Sequence, residues 1–139
     1  MKFKLVEKLN HDTFLYHGTF NIKDILESNS LKVGKQYVDG SAVCLSRDFQ
    51  FVKNFPFILV LNRDLLKHHY KLIPKSDSKN MRNKFSRNIS TQSKAEDVIL
   101  KDIINLKNYI EYIVTDFDLD YPGVVSKEYF IKEILWNSN

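Results

Sequence analysis

The sequence predicts an α+β domain built on a mainly antiparallel sheet. Short apolar runs rich in β-branched and aromatic residues are interspersed with small amphipathic helices, and the regular beat of about 30 residues that parallel βαβ units require is missing. The chain has 139 residues, of which 43% are hydrophobic and 13% aromatic. That is enough apolar material for one core of ordinary domain size. We therefore expect a single domain over residues 1–139, without a linker or an internal repeat.

The first half of the chain predicts three strands separated by helical segments. Apolar runs predict strands at residues 13–16, 42–45 and 57–61. Between the first two strands, Asn21 is the expected N-cap of a helix, and residues 28–30 end it. This helix has Asp24 in its first turn and an apolar face formed by Ile22, Ile25 and Leu26.

Loops and turns of the first half follow from its polar residues and its prolines. Residues 34–41 are predicted to form a loop that carries Tyr37, and residues 48–55 a short helix that Pro56 stops. After the third strand, residues 62–64 introduce one helical turn. An extended path over residues 70–73 then ends at Pro74.

The second half predicts a long polar loop, two more strands and a last helix. Residues 75–93 are polar and basic, and a loop of that length in a compact domain is usually functional or disordered. Runs at residues 98–104 and 109–114 predict strands. A turn over residues 121–123 precedes a helix capped by Ser126, whose apolar side consists of Phe130, Ile134 and Leu135.

The charge of the chain is +4 at neutral pH and its distribution is uneven. Between Lys67 and Arg87 there is one acid, Asp77, against the bases Lys67, Lys71, Lys75, Lys79, Arg82, Lys84 and Arg87. This stretch is interpreted as either a solvated surface loop or a contact for nucleic acid, because a basic excess favours anionic partners. Few aromatic residues interleave the charges, so stacking on bases has little support.

Several classes of protein and site are not expected. No apolar run approaches the ~20 residues that span a bilayer, and the N-terminus lacks the features of a secretory signal, so a cytoplasmic protein is expected. Cys44 is the one cysteine, which excludes an internal disulfide and a thiolate zinc site. His68 and His69 would point to opposite faces of a strand, so no metal site is expected there.

Three motifs follow one another on three of the apolar runs. They are Leu15-Tyr16-His17-Gly18-Thr19-Phe20 at a strand-to-helix corner, Val43-Cys44-Leu45-Ser46-Arg47-Asp48, and Ala95-Glu96-Asp97-Val98-Ile99-Leu100. This succession resembles the NAD-dependent ADP-ribosyltransferase superfamily, in which a His, a Ser or Tyr, and a Glu arrive on successive core strands. The resemblance covers essentially the whole chain. It implies a split β-sandwich of two small sheets with NAD in the cleft between them.

For the first motif, the resemblance implies contacts with the nicotinamide half of NAD. His17 would form a hydrogen bond with a ribose hydroxyl, and Thr19 completes the motif. The Gly18 N–H and C=O would meet the carboxamide, which needs a donor and an acceptor side by side. The alternative is a half-buried histidine bonded to the backbone at a strand end.

For the second motif, the resemblance implies that Ser46 orients the catalytic acid and the ribose. The alternative is a serine that ends a strand and starts the turn at Asp48. Arg47 is expected either to bind a phosphate of the dinucleotide or to remain a solvated charge.

In the third motif, Glu96 is the expected catalytic residue. Cleavage of the nicotinamide–ribose bond builds positive charge on the anomeric carbon, and a carboxylate bonded to the ribose would stabilise it. The alternative is an exposed acid paired with Lys94 or Lys101. Asp97 competes for the same assignment but alternates to the opposite face of the strand, so only one of the two acids can face the cleft.

Lys94 and two tyrosines bear on which branch of the family the chain resembles. The arginine-modifying branch has a Glu or Gln two positions before the catalytic Glu, where this chain has Lys94, so another protein side chain or a nucleic acid is favoured as acceptor. The His-first branch stacks an aromatic ring on nicotinamide, and Tyr37 and Tyr70 are the candidates.

The resemblance thus predicts an NAD-consuming mono-ADP-ribosyltransferase that transfers ADP-ribose to a host protein or a nucleic acid. Small Lys- and Asn-rich versions of this domain resemble phage or bacterial-conflict effectors, which would act in the host cytoplasm. One alternative is an RNA 2′-phosphotransferase-like enzyme of the same fold. Another is a catalytically inactive binding or inhibitor module that uses the cleft or the basic loop.

Overall fold

The computed structural model describes residues 13–37, 40–75 and 95–136, without the side chains of residues 35–37, 40 and 41. Its strands are β1 (Phe14–Thr19), β2 (Ser30–Leu31), β3 (Gly34–Tyr37), β4 (Gly40–Ser46), β5 (Phe57–Asn62), β6 (Ile73–Pro74), β7 (Glu96–Ile99), β8 (Ile103–Ile104), β9 (Ile110–Val114) and β10 (Val124–Val125). The helices are α1 (Ile22–Ser28), α2 (Arg63–His69) and α3 (Lys127–Tyr129), and α3 continues as a π-helix over Phe130–Leu135. Short 3₁₀ turns lie at Phe49–Phe51 and Leu106–Asn108.

A mixed sheet organises the fold, with the order β10-β9-β5-β1-β4-β7-β6 and with β3 paired to β4. Strands β2 and β8 form a second, two-stranded sheet. Within the described residues the strand pairs are antiparallel except for β9 with β10, which are parallel. The predicted α+β class with a mainly antiparallel sheet is therefore confirmed.

The main sheet is joined weakly at its centre. Strands β1 and β5 pair at six positions, from Phe14 with Asn62 to Thr19 with Phe57. Strands β4 and β7 pair at four positions. Between β1 and β4, however, the recorded pair is Tyr16 with Ser46 alone. The sheet thus has two halves, one ending at β1 and the other beginning at β4.

Each face of the main sheet packs on its own hydrophobic cluster. Leu15, Leu45 and Leu59 belong to the cluster that includes Ile22 of α1 and Leu66 of α2, and we call this side the helix-pair face. The opposite side, the π-helix face, packs against the C-terminal helix through Phe14, Tyr16, Ile58, Val60, Val114, Phe130 and Leu135. Alternation of side chains along each strand produces the two faces.

Helix α1 forms where the apolar face of its sequence predicts it, but its N-terminus differs from the prediction. Asn21 precedes the helix and makes no side-chain capping bond. Instead, the Thr19 hydroxyl oxygen accepts a hydrogen bond from the Asn21 N–H at 2.9 Å. At the other end, Asn29 adopts the left-handed conformation at the C-cap, which confirms the predicted stop.

The first predicted strands are confirmed, but they are longer than expected. Strand β1 continues through Thr19, so the predicted corner at His17-Gly18-Thr19 is wrong and these residues are extended. The predicted loop over residues 34–41 is also wrong, because β3 and β4 pair there as a hairpin. Of the helix predicted over residues 48–55, the structure contains the 3₁₀ turn Phe49–Phe51.

Around α2 the prediction is right about the start and wrong about the length. The Asn62 side chain caps the helix by accepting a hydrogen bond from the Leu65 N–H at 3.0 Å. The helix continues for seven residues because Leu66 is buried against the sheet. His68 and His69 therefore lie in its last turn and not in a strand. Pro74 lies within β6, at the end of the strand order, where a proline is tolerated.

Later elements are mostly confirmed. The strand predicted over residues 98–104 is divided between β7 and β8, which belong to different sheets, with exposed Leu100 between them. Gly123 has φ +81° in the predicted turn, and the Ser126 hydroxyl caps α3 by accepting the Tyr129 N–H. Phe130 and Leu135 are buried as expected. The polar segment over residues 76–93 lies outside the described part of the chain.

None of the helices in the described ranges is long and apolar enough to cross a membrane.

Tyr16 provides a test of the core on the π-helix face. Its side chain is fully buried, and its hydroxyl has no hydrogen-bond partner among the described residues. Burial, with a smaller contribution from Asp48, raises the pKa of this phenol. We expect Tyr16→Phe to increase the free energy of unfolding by about 1 kcal/mol, because it removes an unsatisfied buried hydroxyl. Urea unfolding measures the effect, with Tyr129→Phe at an exposed position as the control. A loss of stability in Tyr16→Phe would contradict the prediction.

Candidate functional site

The three sequence motifs lie on three neighbouring strands at the centre of the main sheet. Strands β1, β4 and β7 are adjacent in the strand order, although more than 40 residues separate the second motif from the third in the sequence. Ser46 is paired with Tyr16 of β1 on one side and with Glu96 of β7 on the other. The fold thus gathers the motifs at the place where its two halves meet.

The predicted catalytic residues are divided between the two faces of this sheet. Directly paired residues point to the same side, so Tyr16, Ser46 and Glu96 form a row on the π-helix face. His17 follows Tyr16 and therefore faces the helix-pair side. Asp97 is paired with Leu45 and lies on that side too. The structure therefore brings Ser46 and Glu96 together but does not bring His17 onto their face.

His17 bridges from β1 to β4 through its ring. The imidazole Nδ1 lies 3.3 Å from the Cys44 carbonyl oxygen. A carbonyl can only accept, so Nδ1 carries the proton of the neutral ring and Nε2 remains an acceptor. Burial lowers the pKa of this imidazole, and the Cys44 carbonyl offsets the effect in part. At neutral pH His17 is thus uncharged, with its acceptor nitrogen turned away from Cys44.

The main-chain polar groups of Gly18 point toward the second half of the sheet. The Thr13 carbonyl accepts a hydrogen bond from the Arg63 N–H, so the odd residues of β1 direct their main-chain groups toward β5. The even residues, Tyr16 and Gly18, direct theirs toward β4. Tyr16 is paired with Ser46 there, and Gly18 lies beyond that recorded pair. Gly18 therefore directs one N–H and one C=O toward β4, beyond the pair of Tyr16 with Ser46.

Phe55 explains why position 18 is a glycine. A Cβ at this position would lie 2.3 Å from the Phe55 Cδ2 and 2.4 Å from its Cγ, too close for real atoms. The Phe55 ring also packs against Phe20, with ring centroids 5.4 Å apart. The space above Gly18 on the π-helix face is thus occupied by Phe55.

Ser46 makes a turn with its own neighbour. Its hydroxyl donates to the Asp48 carbonyl at 2.8 Å and accepts from the Asp48 N–H at 3.1 Å. The Asp48 carboxylate in turn caps the 3₁₀ turn by accepting from the Gln50 N–H. This arrangement matches the alternative prediction for Ser46, in which the serine ends a strand and starts the turn at Asp48. Ser46 is next to Glu96 in the sheet, but its hydroxyl is already engaged.

Glu96 forms an ion pair with a lysine from the neighbouring strand end. Its Oε1 lies 3.0 Å from the Lys75 Nζ, and the two side chains are 11% and 17% exposed. The expected partners were Lys94, which lies outside the described residues, and Lys101; the ion pair in the described structure is with Lys75, which follows β6. The pair holds the Glu96 carboxylate near the surface of the π-helix face.

Asp97 lies deeper than Glu96 and faces two arginines. The Arg47 Nε is 3.7 Å from one carboxylate oxygen and the Arg63 Nη2 is 3.8 Å from the other. Arg47 Nε also donates to the Ala95 carbonyl at 3.3 Å. Burial raises the pKa of the Asp97 carboxyl, while Arg47, Arg63 and Lys67 lower it in part.

The remaining predicted residues have separate positions. Thr19 is buried and supports the start of α1. Tyr70 follows α2, where its hydroxyl accepts a hydrogen bond from the Ile104 N–H and its ring contacts Tyr109. The structure thus gives Tyr70 a packing role away from the three motifs. The side chain of Tyr37 lies outside the described atoms.

Sequence reasoning missed three residues that shape this region. They are Phe55 above Gly18, Lys75 beside Glu96, and Arg63 beside Asp97. Phe55 lies in the bend before β5, Lys75 follows β6 and Arg63 begins α2, so each reaches its partner through packing between segments that are distant in the sequence. The closest available signal was the basic character of the segment that includes Lys75.

Other candidate sites lie elsewhere. A cavity of about 570 Å³ runs along α1 and is lined by Asn21, Asp24, Ile25, Glu27, Ser28, Ser30 and Lys32. It is distinct from the residues of the three motifs. Among the described residues no group of three or more His, Cys, Asp or Glu side chains could hold a metal ion.

His17 should make the folded state sensitive to acid. Because its pKa is lower when folded than when unfolded, the unfolded chain takes up the proton first and stability falls as the pH drops through its ordinary value of about 6.5. We expect His17→Gln, whose amide can still donate to Cys44, to lose less unfolding free energy than the wild type between pH 7.5 and pH 5.5. Urea unfolding at several pH values measures this, and His68→Gln at an exposed position is the control. Parallel curves for wild type and His17→Gln would refute the assignment.

Gly18→Ala should destabilise the fold by about 1–3 kcal/mol, because the added methyl overlaps the Phe55 ring. In the Phe55→Ala background the same substitution should cost less. Gly123→Ala is the control, since its cost arises from a positive φ and should not depend on Phe55. Equal costs of Gly18→Ala in both backgrounds would show that the ring is not the cause.

Comparisons of the chain with protein-family models, with curated proteins and with solved structures find no match.

Proposed function

We propose that this protein is an NAD-dependent mono-ADP-ribosyltransferase that transfers ADP-ribose to a macromolecular acceptor. The observation that supports this best is the arrangement of His17 and Gly18 where β1 faces β4. The Gly18 N–H and C=O are directed toward β4, and the neutral ring of His17 contacts the Cys44 carbonyl of that strand. A primary carboxamide needs one donor and one acceptor side by side, and a ribose hydroxyl needs an acceptor such as Nε2.

The split sheet supports the proposed fold relationship. The two halves of this sheet meet at the pair of Tyr16 with Ser46. This arrangement is closer to a split β-sandwich than a sheet paired evenly along all its strands would be. The order of the motifs on β1, β4 and β7 also agrees with the order in the ADP-ribosyltransferase superfamily. We therefore propose that NAD binds beyond the pair of Tyr16 with Ser46, in a position that reaches His17 on the helix-pair face and Glu96 on the π-helix face.

In this proposal, Glu96 stabilises the reacting ribose. The bond between the anomeric carbon and the nicotinamide nitrogen breaks, its electron pair leaves with nicotinamide, and positive charge develops on the ribose. A nucleophile of the acceptor then bonds to that carbon and loses its proton. Glu96 is preferred to Asp97 because it lies nearer the surface, at 11% side-chain exposure against 3%, and pairs with one lysine among the described residues. A carboxylate placed where charge develops lowers the barrier selectively.

A specific observation favours a second candidate, a binding module without NAD chemistry. The Phe55 ring fills the space over Gly18 on the π-helix face, and the Ser46 hydroxyl is engaged by Asp48. A protein that uses the fold to capture a partner would tolerate both features. Binding of NAD separates the two candidates.

The test of the proposed function is the release of nicotinamide from NAD. We expect release by the wild type and a decrease of about 100-fold or more in Glu96→Gln, the size of effect seen when one electrostatic stabiliser is removed. Glu111→Gln, at an exposed position on β9, is the matched control and should keep full activity. Asp97→Asn distinguishes the two adjacent acids.

Two outcomes would reject this assignment. Activity of Glu96→Gln equal to that of the wild type would remove Glu96 from the reaction. No binding of NAD by the wild type at millimolar concentration would favour the binding module.

A further inference from the structure

A small apolar pocket with two lysines lies at the end of the strand order, where β6 pairs with β7. The cavity has a volume of about 180 Å³ and is lined by Lys71, Ile73, Ile99, Leu100 and Lys101. We call it the lysine-rimmed pocket. Leu100 is 55% exposed, so part of the apolar lining is in contact with solvent. Pockets for cofactor-sized ligands begin at about 300 Å³, so this one suits a single apolar side chain.

The two lysines of this pocket carry charges that no described carboxylate neutralises. The ion pairs within the described ranges join other groups, and neither Lys71 nor Lys101 takes part in them. Both lysines are exposed. The Lys101 Nζ lies 5.3 Å from the centre of the Tyr70 ring, a contact that favours this position of the ammonium group. An apolar occupant that brings carboxylates with it would therefore complement the pocket in both apolar surface and charge.

A loop with the matching chemistry lies on the same chain, shortly after β9. Residues 116–118, which we call the Phe117 loop, consist of Phe117 between Asp116 and Asp118. Phe117 is 63% exposed, and both aspartates are exposed as well. The Phe117 ring packs against Phe57, with ring centroids 5.8 Å apart, so it is supported from beneath and open to solvent. The loop thus presents one aromatic side chain together with two carboxylates.

The loop and the pocket of one molecule lie far apart in the sheet. From β9 the strand order continues through β5, β1 and β4 to β7, so four strand spacings separate the strand before the loop from the strand that lines the pocket. At about 4.8 Å per spacing, this distance is roughly 19 Å. A contact between the two surfaces therefore joins two molecules. It leaves an unused loop on one molecule and an unused pocket on the other.

We propose that the lysine-rimmed pocket binds the Phe117 loop of a second copy of this chain. The Phe117 ring enters the pocket, and the two aspartates of the loop approach Lys71 and Lys101. The contact is heterologous because the two copies use different surfaces, and such contacts extend into open chains unless the rotation closes a ring. One aromatic side chain and two exposed ion pairs form a small interface, so the association is weak.

The test measures self-association of the full chain by sedimentation equilibrium. We expect the average mass of the wild type to rise between about 20 μM and about 1 mM, the range in which a small interface becomes populated. Phe117→Ser should abolish this rise, and so should Lys71→Glu with Lys101→Glu. Phe20→Ser is the matched control, because Phe20 is 78% exposed and also packs against one other ring. Raising NaCl from about 50 mM to about 500 mM should weaken the association, since salt screens exposed ion pairs.

A mixture of two variants tests the head-to-tail arrangement. Phe117→Ser keeps its pocket, and the double lysine variant keeps its loop. Each variant alone should be monomeric, whereas the mixture should form a complex of one molecule of each. That complex should not grow further, because its remaining loop and pocket are the substituted ones. The wild type has both surfaces intact and can extend.

Any of four results would overturn the proposal. They are a wild type that stays monomeric up to about 1 mM, association that survives Phe117→Ser, an equal loss in Phe20→Ser, and folded variants that fail to associate when mixed. Circular dichroism shows whether each variant is folded. If Phe117→Ser is unfolded, Asp118→Lys takes its place as the loop variant, because Asp118 is exposed and the added charge opposes the lysines. The measurements contain no NAD, so their outcome is independent of the proposed function.

Discussion

The pairing of Tyr16 with Ser46 is the contact on which the arrangement of this molecule depends. It is the recorded junction between the half of the sheet that ends at β1 and the half that begins at β4. Tyr16 fixes the junction to the core, because its ring packs edge-on against Phe49 at 5.4 Å and Phe130 at 6.2 Å. Ser46 fixes it to β7 through Glu96. The main-chain groups of Gly18 are directed toward β4, because the odd residues of β1 direct theirs toward β5.

Much of the fold could be predicted because local chemistry agrees with the final structure. The apolar run at β5, the capping residues Asn62 and Ser126 and the turn at Gly123 specify their conformations through their own side chains or backbone. Failures occur where pairing overrides local preference. Residues 34–37 are polar and read as a loop, yet they form β3 because β4 supplies a partner. At Leu100 the strand predicted over residues 98–104 is interrupted because β7 and β8 belong to different sheets.

The site could be predicted only in part, for a related reason. The order of the motifs was sufficient to expect His17, Ser46 and Glu96 on core strands, and the structure places those strands side by side. Which face each residue occupies depends on how the strands are aligned, and sequence spacing does not contain that information. The position of Phe55 over Gly18 likewise arises from packing between distant segments. Whether these residues act on NAD stays a prediction.

The two adjacent acids of β7 have a consequence for the alignment of the strands. Glu96 and Asp97 lie on opposite sides of the sheet, and each meets cations that come from different elements. A slip of β7 by one residue against β4 would exchange the two acids. The longer acid would then face the arginines in the more deeply buried position, and the shorter acid would face the lysine. An extra methylene in a buried position is costly. The unequal lengths of the two acids therefore favour the observed alignment.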